Sequence, residues 1–161
     1  MDHDTQASEE RSKVGMLVPP PFLLLALAAA SALVHVVWLG WPSPSTWHIL
    51  VSAALAVASV GLLASCGRVF KRAGTPARPV SPTTTIVTQG AYRFSRNPMY
   101  VAMAGLLAAL AVLTGSVVFL LSTVVFVAIV HVGVVLPEER YLEQLHGASY
   151  LAYKKQVRRW L

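Results

Sequence analysis

The chain has 161 residues, of which 55% are hydrophobic and 12% charged, with 13 Lys and Arg against 7 Asp and Glu for a net charge of +6. A soluble domain carries about a quarter charged residues, so this composition excludes one and points to a single unit whose apolar runs can cross a bilayer. The cations lie between and after apolar runs, with no basic helix or aromatic-interleaved patch; this argues against nucleic acid as a partner and matches the positive-inside bias of membrane proteins.

Residues 1–16 form a polar tail of mixed charge with little to bury, and disorder is expected there. Pro19-Pro20-Pro21 then leads into an apolar span, Phe22–Leu39, because proline is tolerated where a helix N–H has no partner anyway. A signal peptide would need a basic leader, and this one is led by acids. Gly40–Thr46 is an uncharged turn ringed by Trp38, Trp41 and Trp47, as an interfacial belt would be. The second span runs to Cys66, so 17–66 is a two-helix unit, with Ala54, Ala58 and Gly61 suited to close packing in lipid. Cys66, the only cysteine, can form no intrachain disulfide and reads as a small apolar filler.

Residues 67–97 are basic, free of acids and rich in Pro, Thr and Gly, which predicts a cytoplasmic loop. Thr83–Thr88 favours strand by propensity, but an open strand edge cannot lie in lipid. Asn97-Pro98 predicts a helix start, with Asn as N-cap and Pro at the first helical position. Residues 98–136 then form an apolar hairpin, Pro98–Leu113 and Val117–Leu136, turning at Thr114-Gly115-Ser116. After Pro137, residues 137–161 are amphipathic, broken into two short helices at Gly147, and expected to lie in the membrane interface. The fold class is therefore all-α: a polytopic membrane protein with about four transmembrane helices plus C-terminal interfacial helices. Lys and Arg distribution places both termini and the 67–97 loop on the cytoplasmic side.

Two polar blocks bracket the hairpin, Gly90–Tyr100 (GAYRFSRNPMY) and Glu138–Arg159, and every acid outside the tail lies in the second. Charge concentrated at one membrane edge suits a polar ligand. Arg96, held at a helix start between Tyr92 and Tyr100, could bind a carboxylate through its guanidinium fork, though positive-inside charge alone also explains an arginine there. Glu138 and Glu139 could meet a cation or hydroxyls; equally, acids in a first helical turn are favoured by the helix dipole. His131 lies in the fourth span, seven residues before Glu138 and on the same face of a regular helix; a neutral histidine bonded to another helix is the alternative. His35 reads as structural and His146 as exposed. No metal-ligand spacing, P-loop, nucleophile elbow or dinucleotide turn occurs.

The blocks resemble the isoprenylcysteine carboxyl methyltransferase and phospholipid methyltransferase superfamily of integral membrane enzymes. The first motif of that superfamily reads roughly G-P-Y-R-x-x-R-H-P-x-Y, against Gly90-Ala91-Tyr92-Arg93-Phe94-Ser95-Arg96-Asn97-Pro98-Met99-Tyr100. In the second motif Glu138, Glu139, Leu142, Gly147, Tyr150, Tyr153, Val157 and Arg159 fall in step. The departures are Ala91 for Pro, Asn97 for His and His146 for Phe, and the resemblance covers about residues 85–161, the expected catalytic unit.

This resemblance implies S-adenosyl-L-methionine as methyl donor and a lipophilic acceptor entering from the bilayer. Arg96, Asn97 and Tyr100 would take the donor carboxylate, Glu138 or Glu139 its ammonium or hydroxyls, and Tyr92 or Tyr150 its adenine, with Tyr153 beside them. Arg159 would orient an acceptor carboxylate, while an amine acceptor would give His131 or a glutamate, Glu138 or Glu139, the role of base. Likeness favours carboxyl O-methylation over phospholipid N-methylation. A nicotinamide-dependent sterol-reductase-type enzyme and a non-catalytic membrane protein are the remaining readings.

Overall fold

The computed structural model describes residues 19–40, 42–72 and 86–161. The polar tail, Trp41, and the part of the basic loop that holds Arg78 and Thr83–Thr85 lie outside the described residues. The described chain is mostly helical: α1 Pro20–Leu39, α2 Thr46–Arg72, α3 Pro98–Thr114, α4 Val117–Val130, a π-helical turn His131–Val135, α5 Leu136–His146 and α6 Ala148–Gln156. A short 3-10 turn, Gly90–Arg93, precedes α3.

Three of these helices are long and apolar enough to cross a membrane, and α3, with 17 residues, is a shorter apolar helix. In the most apolar stretches of the three, only 11%, 17% and 22% of residues are buried within the protein. Trp38, Val57 and Leu33 stand 83%, 72% and 66% exposed. Apolar surface on that scale needs a lipid solvent, so this is the architecture of a polytopic membrane protein.

Helix α3 sits between α2 and α4, and α1 packs on α4 and α3 rather than on α2, its neighbour in sequence. The core forms where α3 meets α4 and the π turn, around Tyr100, Met103, Leu107, Phe126, Val130, Val134 and Val135. One cross-helix hydrogen bond joins the hydroxyls of Ser31 on α1 and Ser122 on α4, 2.6 Å apart. In a dry interior each hydroxyl thus finds the partner it needs.

Three local expectations are revised. Helix α2 does not stop at Cys66 but continues to Arg72, placing Lys71 and Arg72 in its last turn, where cations complement the helix dipole. The small residues Ala54, Ala58 and Gly61 are exposed, and no atom comes near a Cβ built on Gly61. Instead α2 buries Ser52, Ser59 and Cys66, one stripe at seven-residue spacing. Ser59 comes close to Gly105 of α3, where a Cβ would clash with its Oγ.

The chain also does not break at Pro137. From Val117 to His146 it is one 30-residue helix. A proline inside an α-helix lacks its N–H and clashes with the carbonyl four residues earlier. Here the preceding turn is π-helical, with Leu136 N–H donating to the carbonyl of His131, five residues back. That widened turn accommodates the proline ring. Gly147 then separates α5 from α6 at φ +50°, as expected of the glycine there.

Candidate functional site

The two polar blocks meet at one end of the bundle, joined through the last residues of the second block, whose docking on the first sequence reasoning missed. Beyond α6 the chain is extended, and the C-terminal residues return to the first block as a one-residue parallel β-bridge between Ser95 and Arg158. Arg96 N–H donates to the carbonyl of Arg158 at 2.9 Å. Asn97 Nδ2–H donates to the carbonyl of Arg159 at 3.0 Å.

Asn97 is therefore the residue before α3 but not its side-chain cap. Its amide makes no capping bond to the helix and instead ties down the C-terminal segment. Ser95 Oγ accepts a hydrogen bond from Asn97 N–H at 3.1 Å. Ser95 is 3% exposed and Asn97 8%, so the junction is dry.

This docking brings Arg159 to Glu139. Its Nε and Nη2 each donate to the carboxylate at 2.9 Å, a bidentate pair. Arg96 Nη1 lies 3.2 Å from the same carboxylate. The Arg96 contact is close but not directed along a hydrogen bond, and Arg96 Nε and Nη1 have no hydrogen-bond partner among the described residues. The Arg96 and Glu139 side chains are each 7% exposed and that of Arg159 33%. Hydrogen bonding to Glu139 raises the Arg159 pKa above its ordinary value. One buried carboxylate thus serves two guanidiniums, leaving a local excess of positive charge on the more buried one.

Around this hub stand the tyrosines. Tyr100 donates to Glu138 Oε2 at 3.3 Å, linking the first turn of α3 to the first turn of α5. Adjacent acids on a helix diverge, and Glu138 and Glu139 accordingly have different partners. Tyr153 donates to the carbonyl of Tyr92 at 2.7 Å, pinning α6 to the 3-10 turn. Tyr92 packs edge-on against Phe70, with ring centroids 5.6 Å apart. Burial pushes the Tyr92 phenol up, and holds Tyr150 and Tyr153 at about 12, so all three remain neutral donors near neutral pH.

Of the residues expected at the site, Tyr92, Arg96, Asn97, Tyr100, Glu138, Glu139, Tyr153 and Arg159 are joined by these bonds, and Tyr150 lies buried with its ring 6.1 Å from that of Tyr153. His131 is outside this network. The π turn breaks the regular register between it and Glu138, and its ring faces Trp160 at 6.0 Å. The missed members are Ser95, the carbonyls of Arg158 and Arg159, and Trp160. Backbone carbonyls leave no trace in a sequence. His146, expected to be exposed, is half-buried.

Fold and site define a membrane protein whose apolar helices carry a charged, tyrosine-lined cluster at one end. The family model described as phospholipid methyltransferase matches residues 47–149, and the chain belongs to that family, within the membrane methyltransferase superfamily its two motifs resemble. Comparisons with curated proteins and with solved structures returned no significant match. The matched range takes in the first block, the hairpin and both glutamates; Tyr150, Tyr153 and Arg159 lie beyond it.

Proposed function

We propose that the protein transfers a methyl group from S-adenosyl-L-methionine to a lipophilic acceptor drawn from the bilayer, with the reacting centre at the cytoplasmic membrane edge. The observation that carries this reading is the Arg96–Glu139–Arg159 hub, held between the two family motifs. The donor is a zwitterion with a carboxylate, an ammonium and ribose hydroxyls. Arg96, buried with two nitrogens that lack a hydrogen-bond partner among the described residues, suits the carboxylate. Glu138, whose one side-chain bond among the described residues is to Tyr100, suits the ammonium or hydroxyls. Tyr92 and Tyr150 offer flat apolar rings for adenine. Asn97 and Tyr153 act as struts, since their polar groups join the first block to the C-terminal segment and α6.

Methyl transfer is an in-line displacement, so alignment matters more than acid–base chemistry. A carboxylate acceptor, of the isoprenylcysteine type, needs only orientation and desolvation. The one-third exposure of Arg159 leaves an edge of its guanidinium for that role. The second reading is a phospholipid amine, favoured by the family description and by Glu138, a half-buried carboxylate able to accept a proton.

The test is binding of S-adenosylmethionine, its demethylated product and NADPH to purified protein in detergent. Binding of the first two and not the third is expected. No affinity for either of the first two sinks the reading, and NADPH binding in their place points to a reductase. Labelled-methyl transfer to prenylcysteine analogues against phosphatidylethanolamine then separates the two acceptors.

A further inference from the structure

A groove of about 410 Å³ runs along the outer face of α4, lined by Thr123, Val124, Val127, Ala128, His131 and Trp160. The first five fall at i, i+1, i+4, i+5 and i+8, one stripe of an α-helix. Trp160, carried in from the C-terminal segment, forms the wall at the His131 end. The lining is apolar except for the threonine hydroxyl, which is returned to its own helix by a bond to the carbonyl of Phe119 at 2.9 Å, and the His131 ring, whose Nδ1 is buried with no hydrogen-bond partner among the described residues.

We propose that this groove is the seat of the acceptor's hydrocarbon chain, with the polar end of the acceptor directed past His131 and Trp160 toward Arg159 and Glu139. The inference rests on the methyl-transfer reading above. Its support is continuity: Trp160 follows Arg159 directly, packs against the α3–α4 core, and forms the groove wall, so one short segment borders both the charged hub and the apolar channel. The open side of the groove faces the surface that needs lipid, where Val124 is 60% exposed. An apolar chain costs nothing to desolvate there. The unpartnered His131 nitrogen falls where the chain gives way to polar atoms, and suits a hydroxyl or ester of the acceptor.

The experiment uses the full chain with Trp38, Trp41 and Trp47 changed to Phe, so that Trp160 alone fluoresces. Phosphatidylethanolamine brominated at mid-chain is titrated into the protein in detergent, and S-adenosylmethionine binding is measured on the same sample. Quenching of Trp160 should saturate, and the apparent affinity should fall by about tenfold or more in Ala128→Phe, which fills the groove. Ile129→Phe, a control on an exposed part of α4 turned away from the groove stripe, should leave it unchanged. Quenching that rises linearly with lipid, or is unaffected by Ala128→Phe, overturns the proposal even if the donor binds. Saturable quenching without donor binding overturns the acceptor role and the methyl-transfer reading together. A Trp160 signal that changes with protein concentration and ignores lipid assigns the groove to a second copy and also overturns the proposal.

Discussion

Glu139 is an electrostatic anchor: its single carboxylate, itself buried, pairs with two arginines, of which Arg96 is buried as well. Removing one partner of a buried ion pair costs about 3–5 kcal/mol, because the other charge is left uncompensated. Glu139→Ala should therefore lower the thermal midpoint in detergent sharply, beyond any effect on donor affinity. Glu138→Gln should leave the midpoint nearly unchanged while weakening donor binding, since among the described residues the only side-chain partner of Glu138 is the Tyr100 hydroxyl. A thermal melt of both variants checks this, and equal midpoints would show that Glu139 is not the hub. Arg159→Lys keeps the charge but loses the fork. Hydrogen bonds to charged groups are worth about 1.5–3 kcal/mol, and with Arg159 one-third exposed the loss should fall at or below the lower end. The residue types at this site were legible in the sequence, since Arg96, Glu138, Glu139 and Arg159 stand out as charges flanking apolar spans. Which carboxylate pairs with which arginine was not legible, because that depends on where the C-terminal segment docks.

At the scale of elements, the 3-10 turn before α3 shows why the first block begins with glycine. Gly90 has φ +62°, a conformation costly for residues with a Cβ, and a Cβ there would lie 2.9 Å from Val69 Cγ2 on α2. Gly90→Ala combines strain and clash. A loss of about 1–2 kcal/mol is expected from the left-handed backbone alone, together with weaker donor binding as Tyr92 and Arg96 shift. Gly61→Ala, facing open space in mid-helix, should be neutral or slightly stabilising. Melting curves of the pair test the contrast. Helix starts at Pro20 and Pro98, the turn at Gly115 and the break at Gly147 follow from local chemistry and read directly from the chain. Pro137 misled, because the sequence shows a helix breaker and does not show that the preceding turn widens to π geometry. The packing face of α2 misled for a related reason. Small residues occur all around that helix, and only its partner α3 selects the Ser52–Ser59–Cys66 stripe.

For the whole molecule, the C-terminal five residues close the site. Truncation after Gln156 removes the Arg159–Glu139 fork, the carbonyls held by Arg96 and Asn97, and the Trp160 wall together. The expected outcome is retention of helical circular dichroism with loss of donor binding and of methyl transfer. Retained donor affinity would show that the segment is dispensable. The sequence by itself determined an all-helical membrane protein, its motifs and the residue types of its polar edge. These rest on composition, hydropathy and turn chemistry, which act over a few neighbouring residues. Tertiary structure alone decided that α1 packs on α4, that Asn97 holds the C-terminal segment rather than capping α3, and that His131 faces an apolar groove. Those outcomes depend on contacts between segments dozens of residues apart, where hydrogen bonds to backbone carbonyls and the register of one π turn set the geometry.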